Sequence, residues 1–464
     1  MKYLFFTASI IGIIPAVFLL LCYRRWTRWC ALALVGLQIV FEKTSITFFA
    51  HDDYRGTSRG LEISLIYIVA TIIMVTFLVR CKRMKLFPDK GAWIYFAYGL
   101  WSWLSEINSA SDMYCVFELW KMAMMYLVFL AVFNYLEFSK GDFNIFVYGL
   151  AFVIIFNFLD IVYQHFTGVF QVYGIFPHQN SMAMWMMMVG TLFLARSMNG
   201  RDKFMTFFHF GVFLLASVTL FRSYSRGAIF CYPVSCALTL FFSYTSPISA
   251  KKLVFTAFLI GAVLLMTMIF LPNIIERFEK APKSSLDTRK NLATAAMNMI
   301  RDKPIIGVGL NNWGLKINPP WKYSQHRESR RGFTEESKDG IVETIYLLVA
   351  AECGVPCLII LLTWFGYYWF TTFHLMSVMR KSKYFYIPAG FFGGLTGVML
   401  QSVLEWVLKQ QMNFLLLMIY FAIISFTKRH LKYLLSNGPT QAEDENKTIS
   451  ELESEPLPQS AEAS

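Results

Sequence analysis

Apolar runs of about 20 residues, enough to cross a bilayer as a helix, recur along most of this chain. About thirteen can be counted, starting near Tyr3, Cys30, Leu61, Ala92, Val116, Ile145, Met182, Phe204, Ala228, Leu253, Ile345, Phe385 and Val407. They are continuous rather than alternating, which argues against a β-barrel. Only 16% of the 464 residues are charged, against about 25% in an average soluble protein, too few to cover a soluble fold of this size. Disorder, collagen, coiled coil and a disulfide-rich secreted fold are excluded on the same grounds. The expected fold is all-α, a polytopic helical membrane bundle of about 12–13 spans with one large polar loop. The first run has no clear small-residue cleavage site and more spans follow, so it reads as a retained anchor.

Lys and Arg set the expected orientation. The short links Arg24–Arg28, Arg80–Lys85, Arg196–Lys203, Lys251–Lys252, Arg380–Lys383 and Lys428–Lys432 are basic and are assigned to the cytoplasm. The links His51–Gly60, Glu106–Tyr114 and Phe166–His178 are mostly poor in basic residues and are assigned outside. The C-terminus is then cytoplasmic. The expected organisation is a transmembrane bundle over 1–271, an external loop over 272–342, further transmembrane helices over 343–430, and an acidic, largely disordered cytoplasmic tail over 431–464. The net charge is +12 although the tail from Gln441 onward holds seven acids and one Lys. The external loop holds 13 Lys and Arg against 8 Asp and Glu. Basic residues are usually scarce on that side, so an anionic ligand is the simple expectation. No nucleic-acid motif, P-loop, internal repeat or metal-ligand spacing is visible, and the cysteines read as small buried hydrophobes.

Four clusters carry candidate chemistry. Phe221-Arg222-Ser223-Tyr224-Ser225-Arg226-Gly227 is a tight link between two spans. Two Arg at a membrane edge are costly unless they snorkel or hold something, and a guanidinium fork matches phosphate oxygens. In the long loop, Leu292, Ala295, Ala296, Met299 and Ile300 form one face of a helix expected to be capped by Ser285 or Asp287 and to end before Pro304. Arg289 lies beside that face, and Gly307-Val308-Gly309 follows as a turn suited to close backbone approach. Pro177-His178-Gln179-Asn180 opens another span, where Asn180 or Ser181 is either a cap or a substrate contact. Glu343-Thr344-Ile345-Tyr346 and Glu352-Cys353-Gly354 mark the return of the loop to the bilayer, where a Glu needs a partner or a role. Glu42, Lys43, Glu118, Lys121, Asp160 and Glu405 are further charges in apolar surroundings, and Glu118 and Lys121, three apart, are expected to pair.

The order Ser225-Arg226-Gly227-Ala228, Arg289, Pro304-Ile305-Ile306-Gly307-Val308-Gly309, Glu343-Thr344-Ile345-Tyr346-Leu347 and Glu352-Cys353-Gly354 resembles the O-antigen ligase and polymerase superfamily of bacterial envelope glycan enzymes. The likeness is best from about Leu215 to Leu362 and extends upstream to Pro177-His178-Gln179-Asn180. One departure stands out. The family's ligases usually carry His where this chain has Glu343 and Asn where it has Thr344.

The resemblance implies a GT-C-like bundle in a bacterial inner membrane with its active site facing the periplasm. It implies transfer of a glycan from a polyprenyl-diphosphate donor, such as undecaprenyl diphosphate, to an acceptor hydroxyl. The acceptor is lipid A core in a ligase of lipopolysaccharide biosynthesis, or a lipid-linked repeat in a polysaccharide polymerase. No cofactor and no catalytic metal are expected. Arg226 and Arg289 are the expected stabilisers of the leaving diphosphate, with Arg222 assisting. Glu343 is expected to orient or deprotonate the acceptor hydroxyl, with its pKa raised in a partly shielded site. His178, Asn180, Tyr346 and His326 are expected to contact substrate, and Trp313, Trp321 and Tyr323 to offer flat surfaces to sugar rings. The competing class is a polytopic transporter of a small anion, which would show midplane sites and matched broken helices.

Overall fold

The computed structural model describes residues 2–51, 54–80, 84–200, 203–279, 283–318, 323 and 340–436. Every apolar run is met by a helix. Among the described residues, seven helices are long and apolar enough to cross a membrane: Asp112–Phe138, Asn144–Phe166, Phe204–Arg222, Arg226–Tyr244, Ala250–Phe270, Ile345–Val378 and Gln411–Arg429. Phe6–Cys22 and Leu65–Arg80 are shorter apolar helices. The chain is thus an all-α polytopic membrane protein. One local correction applies: Leu61–Ile63, expected to open a span, is instead a short strand paired antiparallel with Ile46–Phe48, Ile46 opposite Ile63.

The centre of the bundle is made by helices that need not face lipid. Gln179–Asn199 packs against Lys203–Arg222, Arg226–Tyr244 and Tyr386–Gln401. Its Met182, Met184, Met186, Met187 and Met188 are fully buried, and flexible thioethers suit an irregular interior. The opposing surface of Tyr386–Gln401 is lined by glycine. A Cβ on Gly390 would press on Leu192, and one on Gly394 on the Met188 backbone. Small residues let these backbones approach where lipid supplies no hydrophobic drive. The periphery has the opposite character. Phe204, Phe230, Phe241, Phe258 and Phe370 are exposed on outer helices, a surface that fits hydrocarbon rather than water.

The long loop folds back on the bundle through a helix, Lys283–Asp302. Because it starts at Lys283, neither Ser285 nor Asp287 is its cap. Leu292, Ala295, Ala296 and Met299 pack with Val308, Trp313, Val342, Leu348 and Ala351. The turn Pro304–Gly309 docks on a break in Ile345–Val378. Gly354 there has φ +84, and Pro356 has no N–H to offer the Glu352 carbonyl. The loop replaces the lost bonds. Val308 N donates to Ala351 O at 3.0 Å, Gly309 N to Glu352 O at 2.9 Å, and Val355 N to Pro304 O at 2.8 Å. A Cβ on Gly307 or Gly354 would collide with the facing backbone, so both positions require glycine for space as well as for φ.

Beyond the turn, two Asn amides anchor the loop to distant backbone. Asn311 Oδ1 accepts from Thr57 N at 2.8 Å, and its Nδ2 donates to Ser58 O and Tyr114 O. Asn312 Oδ1 accepts from Ala110 N and Ser111 N, each at 2.9 Å. Below them lies a buried ionic cluster. Lys121 Nζ is 2.7 Å from Glu118 Oε2, and Lys409 Nζ is 3.4 Å from Glu118 Oε1 and 3.3 Å from Glu352 Oε2. The expected Glu118–Lys121 pair is therefore present within a larger group.

Candidate active site at the loop–bundle junction

Hydrogen bonds between two helix ends bring the two carboxylates of the candidate site together. The start of Ile345–Val378 is pinned to the end of Tyr386–Gln401, since Ile345 N and Thr344 Oγ1 both donate to Ser402 O at 3.2 Å. That contact sets Glu343, just before one helix, beside Glu405, just after the other. Arg289 stands three residues before Leu292, beside the packed face of its own helix, and reaches Glu343. Its Nη2 forms an ion pair with Glu343 Oε2 and lies 3.6 Å from Glu405 Oε1.

Arg226 enters from the opposite wall as the first residue of helix Arg226–Tyr244. The preceding link is tightly wound. Tyr224 adopts φ +50, and Ser223 Oγ accepts from Ser225 N at 3.1 Å. Gly227 leaves room for Gln401 and Leu404, whose side chains would lie 3.7 and 3.5 Å from a Cβ there. Arg226, Arg289, Asn180, Glu405, Gln171, Gln179 and Tyr224 line one cavity of about 180 Å³.

The electrostatics are those of a crowded, partly dried mixture of charge. Burial pushes the Glu343 carboxyl up, and Arg289 and Arg226 pull it back only in part. Glu405, 5% exposed, is pushed up to about 7 by burial and then by Glu343, against the pull of Arg289, Asn180 and Arg226. Arg289 Nε is buried without a hydrogen-bond partner. In native interiors almost all such groups are paired, so unspent donor capacity at a cavity wall is a feature of a binding site.

The structure gathers some of the expected site residues and separates others. Arg226, Arg289 and Asn180 share the cavity, and Glu343 sits on Arg289 behind it. Arg222 instead points to His165 Nδ1 and to the Tyr224 hydroxyl, 3.1 Å away. His178 is the cap of helix Gln179–Asn199, its Nδ1 accepting from Asn180 N at 3.2 Å, so neither Asn180 nor Ser181 takes that part. The Tyr346 hydroxyl is bound to Met399 O at 2.9 Å. Trp313 and Tyr323 are buried and bonded to Gly340 O and Asp302, and are not free as sugar platforms. His326 and Trp321 lie outside the described residues. Glu352 belongs to the buried ionic cluster. Among the described residues no group of three or more His, Cys, Asp or Glu is placed to hold a metal ion.

Gln171 and Glu405 had no place in the expected site, and Gln179 and Tyr224 lay in its motifs without a role of their own. For Glu405 the only signal was an acid between Leu404 and Trp406, and nothing in the sequence tied it to Glu343.

No curated protein matches the chain. Residues 211–362 match the family described as O-Antigen ligase. That segment carries Arg222, Arg226, Arg289, Glu343 and Tyr346 and stops short of Glu405. The match spans 152 of the 464 residues, and over that segment the chain is similar to the O-antigen ligase family.

Proposed function

We propose that the protein transfers a glycan from a polyprenyl-diphosphate donor to an acceptor hydroxyl at the periplasmic face of a bacterial inner membrane. The observation that carries this reading is that Arg226 and Arg289, 63 positions apart in the sequence, line one cavity. Breaking a sugar–diphosphate bond builds negative charge on the departing phosphate oxygen. Fixed guanidinium groups aimed there stabilise the transition state more than the ground state. Two of them neutralise a diphosphate without calling on a metal ion. Asn180 offers a neutral polar contact, and the exposed apolar helix flanks give the polyprenyl chain a lateral seat.

The acceptor is either lipid A core, as in a ligase, or a lipid-linked repeat, as in a polymerase. Anion transport fits less well, because the charged cavity sits at helix ends rather than within a pair of matched broken helices.

Arg226→Ala and Arg289→Ala, expressed in a deletion strain, are each expected to abolish glycan transfer with normal protein abundance. Envelope glycan resolved on a gel provides the readout. A single attachment product indicates a ligase, and a repeat ladder that shortens indicates a polymerase. Unchanged ladders in both variants would remove the two Arg from the mechanism.

A further inference from the structure

We propose that Glu405, rather than Glu343, is the group that takes the proton from the acceptor hydroxyl, while Glu343 acts as a positioning residue that holds Arg289. The inference rests on the glycosyl-transfer reading above.

Placement distinguishes the two carboxylates. Glu405 lines the cavity together with Arg226, Arg289 and Asn180. Glu343 is in ion-pair contact with Arg289 Nη2, and it is not among the residues lining that cavity. Burial raises the Glu343 carboxyl too, but a proton taken there would break its contact with Arg289 and release the guanidinium that the leaving diphosphate needs. Glu405 stands off from the same nitrogen at 3.6 Å, close enough to feel its charge and far enough to remain available.

The backbone around Glu405 is also firm. Val403 N donates to Leu400 O at 3.1 Å and Leu404 N to Gln401 O at 2.8 Å, and on the far side Lys409 N donates to Trp406 O at 3.0 Å. The residue therefore sits on a short fixed link just past the C-terminus of helix Tyr386–Gln401. The negative end of a helix dipole disfavours a second negative charge nearby. Facing groups work both ways. Glu343 pushes the proton onto Glu405, while Arg289, Arg226 and Asn180 favour the anion. The balance leaves a carboxyl that titrates near 7, where a general base is most effective.

The step balances. The acceptor oxygen bonds to the anomeric carbon as the bond from that carbon to the diphosphate oxygen breaks. The electron pair of the broken bond stays on the phosphate, between Arg226 and Arg289. The hydroxyl proton moves to a Glu405 carboxylate oxygen and is later released to water.

The test uses membranes from the native strain, deleted for the gene and complemented with the full-length chain or its variants, so that the natural donor and acceptor are present. Wild-type transfer should rise with pH through about 7 as Glu405 ionises. Glu405→Gln should slow transfer by about 10²-fold or more and flatten that profile, while undecaprenyl diphosphate still binds the chain in nanodiscs, no more weakly than wild type because an anion has been removed from the cavity. Glu405→Asp should recover part of the rate. Glu343→Gln should weaken undecaprenyl diphosphate binding and keep an inflection, moved to lower pH because the Glu343 charge no longer pushes the proton onto Glu405. Independently, a hydrophobic carbodiimide, which modifies protonated carboxyls, should label Glu405 below pH 7 and progressively less above it.

Wild-type rate and profile in Glu405→Gln overturn the assignment and leave glycosyl transfer standing. So does an inflection lost in Glu343→Gln but kept in Glu405→Gln. No transfer by the wild-type chain overturns the function itself. Carbodiimide labelling of Glu405 without pH dependence overturns the proton assignment whatever the reaction.

Discussion

Two ionic quartets, each with two cations and two anions, occupy this molecule, and they are built to opposite specifications. In the interior, Glu118, Lys121, Glu352 and Lys409 are all nearly inaccessible. Thr57 and Ser58 hydroxyls donate to Glu118 Oε2 at 2.7 and 2.6 Å, Lys121 Nζ donates to Thr57 O and Lys409 O, and Trp313 N donates to Glu352 Oε1. At the junction, Glu405 is buried but Arg226, Arg289 and Glu343 are only partly covered, with an unpartnered Arg289 nitrogen and a carboxyl that resists ionising. Complete pairing offsets desolvation and fixes geometry. Incomplete pairing leaves capacity for a ligand. The first quartet ties bundle segments together and meets the loop where Trp313 N donates to Glu352, and the second lies where the loop helix meets the bundle.

The largest expected effect breaks the interior quartet. Lys409→Met or Glu352→Gln strands a buried charge, at a cost of about 3–5 kcal/mol, and should collapse protein abundance and thermal stability in detergent. The double variant Lys409→Met/Glu352→Gln keeps the Glu118–Lys121 pair balanced and should be less destabilised than the sum of the two singles. Additive losses would show that the four do not act as one unit.

An intermediate effect undocks the joint. Gly354→Ala or Gly307→Ala should cost about 1–3 kcal/mol and reduce transfer beyond the loss of protein, since Arg289 is placed by the same turn. Normal specific activity in the surviving protein would separate the joint from the site.

The smallest effect reads the strain in the second quartet. Glu405 has a folded pKa above its unfolded value. The native state therefore holds an extra proton between about pH 4.5 and 7, and stability falls as pH rises through that window. Glu405→Gln removes the charged form, so its melting temperature should exceed wild type at pH 8 and match it at pH 4. A variant no more stable than wild type at pH 8 would mean that the Glu405 charge is already well accommodated.

How far the site could be read from residues alone depended on distance along the chain. Helix positions followed from hydropathy, because lipid demands long apolar runs with satisfied backbones. The face Leu292, Ala295, Ala296 and Met299 followed from helical spacing, and the Gly307–Gly309 turn from the only residue that tolerates such approach. Arg226 stood out because charge is costly at a membrane edge, and Arg289 because it lies beside the packed face of its loop helix. Trp313 and Tyr323 are not the expected platforms, since Trp and Tyr serve equally well as buried anchors when a carbonyl or carboxylate takes their polar end. Arg222, His178 and Tyr346 were drawn off by nearby partners that no spacing rule reveals.

Sequence alone determined that this is a helical membrane protein with a basic loop and two Arg worth noticing, because those properties are local and set by what lipid excludes. Only the tertiary structure decided that Glu405 faces Glu343 across Arg289 and that Glu352 serves the interior. Those assignments depend on which helix ends meet, through Ser402 O and through the bonds that Gly354 and Pro356 surrender to the loop. Hydropathy does not encode the partners of a broken backbone.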